Sequence, residues 1–226
     1  MIIPACQRVS RDFWKGTRMA SSIAHLAIIN ELIKLRSFRA EDRLKLGAVL
    51  ADFGIRRETH LQIRLENGNK ITYDLNRFRA EFGKKLLEDD LYLGYYLHLV
   101  QDIVYRRLIY GKYAWNPTLE GNIERLHRDY SILNGAIIEK YGLKNDIAVP
   151  NGFKSEAINR LSAFDTDLLL ESMEEFFNKR EAGEIFFFTR EMADEFIIEA
   201  VKTCLKELDA LESGGALMDM LECAWS

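Results

Sequence analysis

Apolar residues recur at three- to four-residue intervals along most of the chain, and that period predicts a mostly α-helical protein. The first helix falls at about 21–36, with Ser21 or Ser22 as N-cap and Ile28, Ile29 and Leu32 on an inward stripe. A shorter helix at about 40–51 runs into "ADFG". The stretch "HLQIRLENGNKITYDL" then changes period. Its apolar and polar positions alternate around Asn67-Gly68-Asn69, which predicts one small β-hairpin near 60–75. Helices follow at about 75–87, 90–111, 119–141, 154–180 and 189–212, the third of these closed by Gly142 and the last capped by Thr189. "AVPNGF" is the clearest connector, and Leu217, Met220 and Leu221 are expected to order part of the tail beyond Gly215.

This pattern defines a single helical domain over 19–212, with a C-terminal tail at 213–226. Met19 stands just ahead of the first helix, so residues 1–18 are expected to be an N-terminal extension or a mobile arm. At 226 residues the chain can bury a full core. It is 48% hydrophobic and 29% charged with a net charge of −4, which gives no strong nucleic-acid signal. No apolar run reaches the roughly 18 residues of a membrane span, and the first residues lack the roughly 7–15-residue apolar core of a signal peptide. Cys6, Cys204 and Cys223 form an odd, widely spaced set without a CxxC pair, as expected of free thiols in a reducing compartment. The expected location is the cytoplasm; the oligomeric state stays open.

The chemistry concentrates in "LYLGYYLHLVQDIVYRRL", residues 91–108. Leu91 to Val104 would suit a helix buried on all sides, yet His98, Gln101 and Asp102 interrupt it. An isolated carboxylate there costs several kcal/mol of desolvation, so Asp102 must be paired, protonated or bound to a cation. His98 and Asp102, four residues apart, project from one helical face and make a bidentate platform for a divalent metal. A buried His–Asp hydrogen bond is the plainer alternative.

Other candidates come from separate segments. His25 lies on the inward stripe of the first helix and, taken alone, reads as a core histidine. Asp52 follows "LGAVLA" and suits a turn. His60 opens the hairpin, where an exposed strand-end histidine is the simple expectation. Asp129 and His127 lie on the 119–141 helix and are possible additional ligands, or residues packed against a neighbour. Arg106, about one turn beyond Asp102, is a candidate for receiving a substrate phosphate; a solvated helix-end charge is the alternative for it and for Arg107.

With "MASSIAHLAI", "GAVLADFG", "THLQI", "LGYYLHLVQDIVYRRLI" and "RDYSILNGAIIEKYGL" in place, the chain resembles the zinc-dependent phospholipase C family. More specifically, it resembles the small bacterial branch that lacks a signal peptide. The resemblance runs from about Met19 to Leu211. It implies a multi-helix phospholipase C-like domain that hydrolyses phosphoesters through a metal-activated water. It also implies Asp52, His60, His98 and Asp102 as one zinc site, with Asp52 orienting or deprotonating the water. His25 would help hold a second metal, with Asp102 bridging. One or two divalent ions are expected, zinc first, with iron or manganese as alternatives. Secreted members hold a third metal through a downstream His and an H-x-x-x-E pair. Here only His127 is offered, followed at the fourth position by Ser131. The expected substrate is a phospholipid headgroup, a nucleotide or another small phosphorylated molecule. Two rivals stand beside this reading. One is a non-catalytic helical metal- or ligand-binding protein. The other is an HD-type phosphohydrolase, against which the absence of an adjacent His-Asp dipeptide counts.

Overall fold

The computed structural model describes residues 21–65, 68 and 70–225. The expected 1–18 extension and the Asn67 and Asn69 turn positions lie outside them. Among the described residues the protein is mostly helical. Eight α-helices accompany one two-stranded antiparallel sheet. None of these helices is long and apolar enough to cross a membrane.

Helix α1 (Ser22–Leu35) starts where Ser21 accepts the backbone N–H of Ala24, and its inward stripe is fully buried. Helix α2 (Glu41–Leu50) passes into a 3-10 turn at Ala51–Phe53. A short helix α3 (Arg56–Thr59), not foreseen from the periodicity, precedes strands β1 (Gln62–Arg64) and β2 (Ile71–Tyr73). The strands pair Gln62 with Tyr73 and Arg64 with Ile71, as the alternation required. Helix α4 (Leu75–Glu88), capped by Asp74, leads to the central helix α5 (Asp90–Tyr105). The expected 90–111 helix therefore changes character: from Arg106 to Lys112 the chain continues as a π-helical turn.

Helix α6 (Asn122–Tyr141) ends at Gly142, whose φ of 63° is the left-handed cap that glycine favours. The single helix expected at 154–180 is not formed. Two 3-10 turns occupy Phe153–Ser155 and Ala157–Arg160, and helix α7 begins at Thr166–Asn178. The break lies where Asp165 caps Leu168 with its carboxylate and donates its own N–H to the carbonyl of Phe53. Helix α8 (Arg190–Glu212) is capped by Thr189 as foreseen.

Helices α2 and α5 pack backbone against backbone. A Cβ on Gly47 would strike the carbonyl oxygen of Leu91, and one on Gly94 would strike that of Leu44. Two glycines facing each other let the backbones touch, which brings the end of α2 directly against the inner face of α5. The tail also differs from expectation. Leu217 and Leu221 are exposed, whereas Met218 and Cys223 are buried and Trp225 bridges to Ile71.

Candidate metal centre

Five side chains from four elements converge at the inner face of α5. His25 comes from α1, Asp52 from the turn after α2, His60 from the end of α3, and His98 and Asp102 from α5. All three imidazoles are fully buried, and the two carboxylates are 1% exposed. His60 is thus no strand-end surface residue. The chain reverses immediately after it at Leu61, whose φ of 50° is left-handed. That conformation costs an L-residue roughly 1–2 kcal/mol. It is held by Leu61 N–H donating to Glu58 and by Asp74 N–H donating to Leu61.

Each histidine is fixed through Nδ1 by a group outside the cluster. His98 Nδ1 lies 2.8 Å from the Ala48 carbonyl, His25 Nδ1 2.7 Å from Gln101 Oε1, and His60 Nδ1 2.9 Å from Thr59 Oγ1. A carbonyl oxygen can only accept, so His98 and His25 carry their hydrogen at Nδ1 and turn Nε2 inward. Ligating histidines are held in this way, through the nitrogen the metal does not use. Gln101, the third polar residue of the buried helix, is explained by it.

The inward atoms are spaced like ligands. His60 Nε2 lies 3.2 Å from His98 Nε2 and 3.3 Å from Asp102 Oδ2, while His25 Nε2 lies 3.5 Å from Asp102 Oδ1. Asp52 Oδ1 is 3.9 Å from Nε2 of both His60 and His98. Donors about 2.0–2.1 Å from a four-coordinate ion stand roughly 3.3–3.4 Å apart. Two groups bring their donor atoms within 4.8 Å of one another, close enough to draw in on an ion: His25 with His98 and Asp102, and Asp52 with His60 and His98. His25 Nε2 and Asp102 Oδ1 are buried without a hydrogen-bond partner. Such orphaned atoms are costly unless something else satisfies them, and a cation does so. The buried His/Asp groups can therefore hold a metal ion.

Electrostatics favours ionised carboxylates beside mostly neutral imidazoles. Burial alone would raise the carboxyl of Asp102, but the imidazoles of His25 and His60 facing its two oxygens hold it well below the usual range. Asp52 is likewise lowered despite burial, by the imidazoles of His98, His25 and His60. Burial pushes His98 down to about 3, and burial together with the charge of Arg56 lowers His60. His25 is raised: burial opposes its charge, but Asp102 and Asp52 outweigh it.

Three contributors escaped the sequence reading. Arg56 Nη2 lies 3.0 Å from Asp102 Oδ2, and Nη1 lies 3.8 Å from Asp52 Oδ1. Its position between Asp52 and His60, four residues from each, was the available signal. Tyr73 donates its hydroxyl to Asp102 Oδ2 at 3.1 Å, and burial pushes its pKa up to about 12. Ser22 donates to Asp52 Oδ2 at 3.3 Å. Nothing in the sequence marked the last two.

The remaining candidates lie elsewhere. Asp129 is buried, but its carboxylate accepts the backbone N–H groups of Phe186, Phe187 and Phe188 at 2.8 Å each, so it is a clamp on the chain before α8. His127 faces Tyr130, with ring centroids 6.0 Å apart, and joins neither ligand group. An open cleft of about 450 Å³ beside them is lined by Arg125, Arg128, Asp129, Glu184, Ile185 and Phe186. Arg106 lies under Trp225, its guanidinium carbon 3.9 Å from the ring, and acts on Tyr73. Arg107 donates to Cys223 Sγ at 3.2 Å.

Fold and site together define a helical protein with a buried histidine–aspartate centre able to hold a metal. No family model matches the chain, and comparison with curated proteins and with solved structures gives no match either.

Proposed function

We propose that the protein is a metal-dependent phosphoester hydrolase of the zinc-dependent phospholipase C kind. The observation that carries the reading is the convergence of His25, Asp52, His60, His98 and Asp102, whose side chains are all buried, with His25 Nε2 and Asp102 Oδ1 lacking hydrogen-bond partners. His25, Asp52, His60, His98 and Asp102 would hold one or two divalent ions. The mixed imidazole and carboxylate donors suit zinc, with iron or manganese as alternatives. A bound ion supplies Lewis acidity and lowers the pKa of water towards about 7. Asp102 turns Oδ1 to His25 and Oδ2 to His60, an orientation that supports a bridging role.

The chain's own residues account for the rest. Two carboxylates against the single guanidinium of Arg56 leave one negative charge at the centre. A divalent ion held there makes the centre net positive, and such a centre attracts an anionic phosphoester. Arg56, 21% exposed, is placed to orient that anion from the solvent side. Tyr73 stays protonated and steadies Asp102. Asp52, ionised and held by Ser22, is positioned to accept a proton.

A second reading is favoured by the same Arg56. Its guanidinium reaches both carboxylates and offsets part of their charge without a metal, as in a helical binding protein that does no chemistry. Metal content decides between them. Protein purified without added metal should carry one to two equivalents of zinc, iron or manganese by plasma mass spectrometry, and Asp102→Ala should lose most of it. Hydrolysis of phosphomonoesters, phosphodiesters or phosphatidylcholine should then track the metal. Absence of metal from the parent protein after reconstitution would leave the binding-protein reading.

A further inference from the structure

The ligand residues lie behind a wall: no histidine of the cluster has exposed surface, so any ion or substrate that reaches them must displace something. Outward from Asp102 the first layer is Tyr73, and the second is Trp225, whose ring meets that of Tyr73 edge-on at 4.9 Å. Trp225 also covers Arg106, whose Nε is buried without a partner. It belongs not to the helical body but to the segment that returns to the hairpin after α8.

That segment is held at few points. At its root the buried carboxylate of Glu207 accepts the N–H groups of Leu217 and Met218 at 2.8 and 3.0 Å. Further on, Thr72 Oγ1 donates to the Met220 carbonyl at 2.7 Å, and Arg107 reaches Cys223. At the tip, Trp225 exchanges two backbone hydrogen bonds with Ile71, of 2.7 and 2.9 Å, a one-residue extension of the sheet. Between these points Leu217 and Leu221 are 58% and 60% exposed. Met218 and Cys223 are buried, but a segment with a firm root and a single-residue bridge at its far end opens locally at smaller cost than the helical core.

We propose that residues 214–225 form a gate over the metal centre, with Trp225 as the part that closes it. Closed, the gate seals Tyr73 and occupies the face of Arg106. Lifted, it exposes both beside Arg56 and gives an anionic substrate a cationic entry. The inference rests on the reading of the His/Asp cluster as a functional centre, and concerns how that centre is reached.

The test is carbethoxylation of the metal-stripped, full-length protein by diethyl pyrocarbonate, with rates read for each histidine by mass spectrometry. In the parent protein His60 and His98 should react far more slowly than His127. Trp225→Ala should raise both rates about tenfold and leave His127 unchanged, because only local opening is altered. Thr72→Val, a near-isosteric change that releases the Met220 carbonyl, should raise them in the same direction by less. Unchanged His60 and His98 rates in Trp225→Ala would overturn the gate. If that variant loosens His127 as well, Thr72→Val decides: acceleration confined to His60 and His98 supports the gate, and none overturns it. Zinc titration of the same proteins separates the two ideas. Zinc uptake with unaltered histidine rates removes the gate alone, whereas gated rates without zinc uptake remove the metal reading alone.

Discussion

At the scale of single residues, the centre depends on which nitrogen each imidazole turns inward. Gln101 does this for His25 without touching the ligand position itself. Gln101→Leu should therefore keep the fold and lower zinc affinity about tenfold or more, measured by competition with a chromogenic chelator. Unchanged affinity would remove Gln101 from that role. The same residues set the acid response of the metal-free protein. His98 titrates near 3 in the folded state and near 6.5 in the unfolded chain. Between those values only the unfolded chain takes up the proton, so stability falls as pH drops from 6.5, by up to about 1.4 kcal/mol per unit. His60, also lowered, acts in the same direction. His25 is raised and acts oppositely: its contribution is full below 6.5 and lost as pH rises through its folded value. Two depressed imidazoles against one raised give a net loss on acidification. Urea unfolding of chelator-treated protein at pH 7 and pH 5 should show a lower midpoint at pH 5, and an equal or higher one would contradict these assignments.

At the scale of elements, the Gly47–Gly94 contact decides whether Asp52 meets His98. A methyl group on Gly94 meets backbone, not a flexible side chain, so α2 and α5 must separate. Gly94→Ala should cost about 1–3 kcal/mol or more, lower the melting temperature by several degrees, and weaken metal binding. Retention of both parent values would mean that the crossing can relax at no cost. Asp129 is the corresponding device on the other side of the molecule. Asp129→Ala leaves three backbone donors without their acceptor and should destabilise by about 3 kcal/mol, with metal content of the folded fraction unchanged. Loss of metal from folded Asp129→Ala would place it in the centre after all.

At the scale of the whole molecule, the candidate ligands come from α1, the turn after α2, the end of α3 and α5, so a bound ion ties together segments from residue 25 to residue 102. An ion that binds only the folded chain stabilises it by about 4 kcal/mol at a thousandfold excess over its Kd, or roughly 10 °C for a chain of this size. Thermal scans with zinc and with chelator should differ by about that amount in the parent protein and by little in Asp102→Ala. Equal melting temperatures in the parent would count against a site spanning these elements.

The sequence by itself determined the helical class, the hairpin and most helix boundaries. Those features follow from local periodicity and capping, as at Ser21, Asp74, Gly142 and Thr189. It also singled out His98 and Asp102, because a polar group on an apolar face has a desolvation cost that local pattern reveals, whereas His25, Asp52 and His60 entered the set through the family resemblance. Only the tertiary structure decided which of them meet. It brought these five together, left Asp129 and His127 aside, and added Arg56 and Tyr73. It also broke the expected 154–180 helix at Asp165 and folded Trp225 back onto Tyr73. Those outcomes depend on contacts between residues far apart in the chain, such as the glycine crossing of α2 with α5, and no local period encodes them.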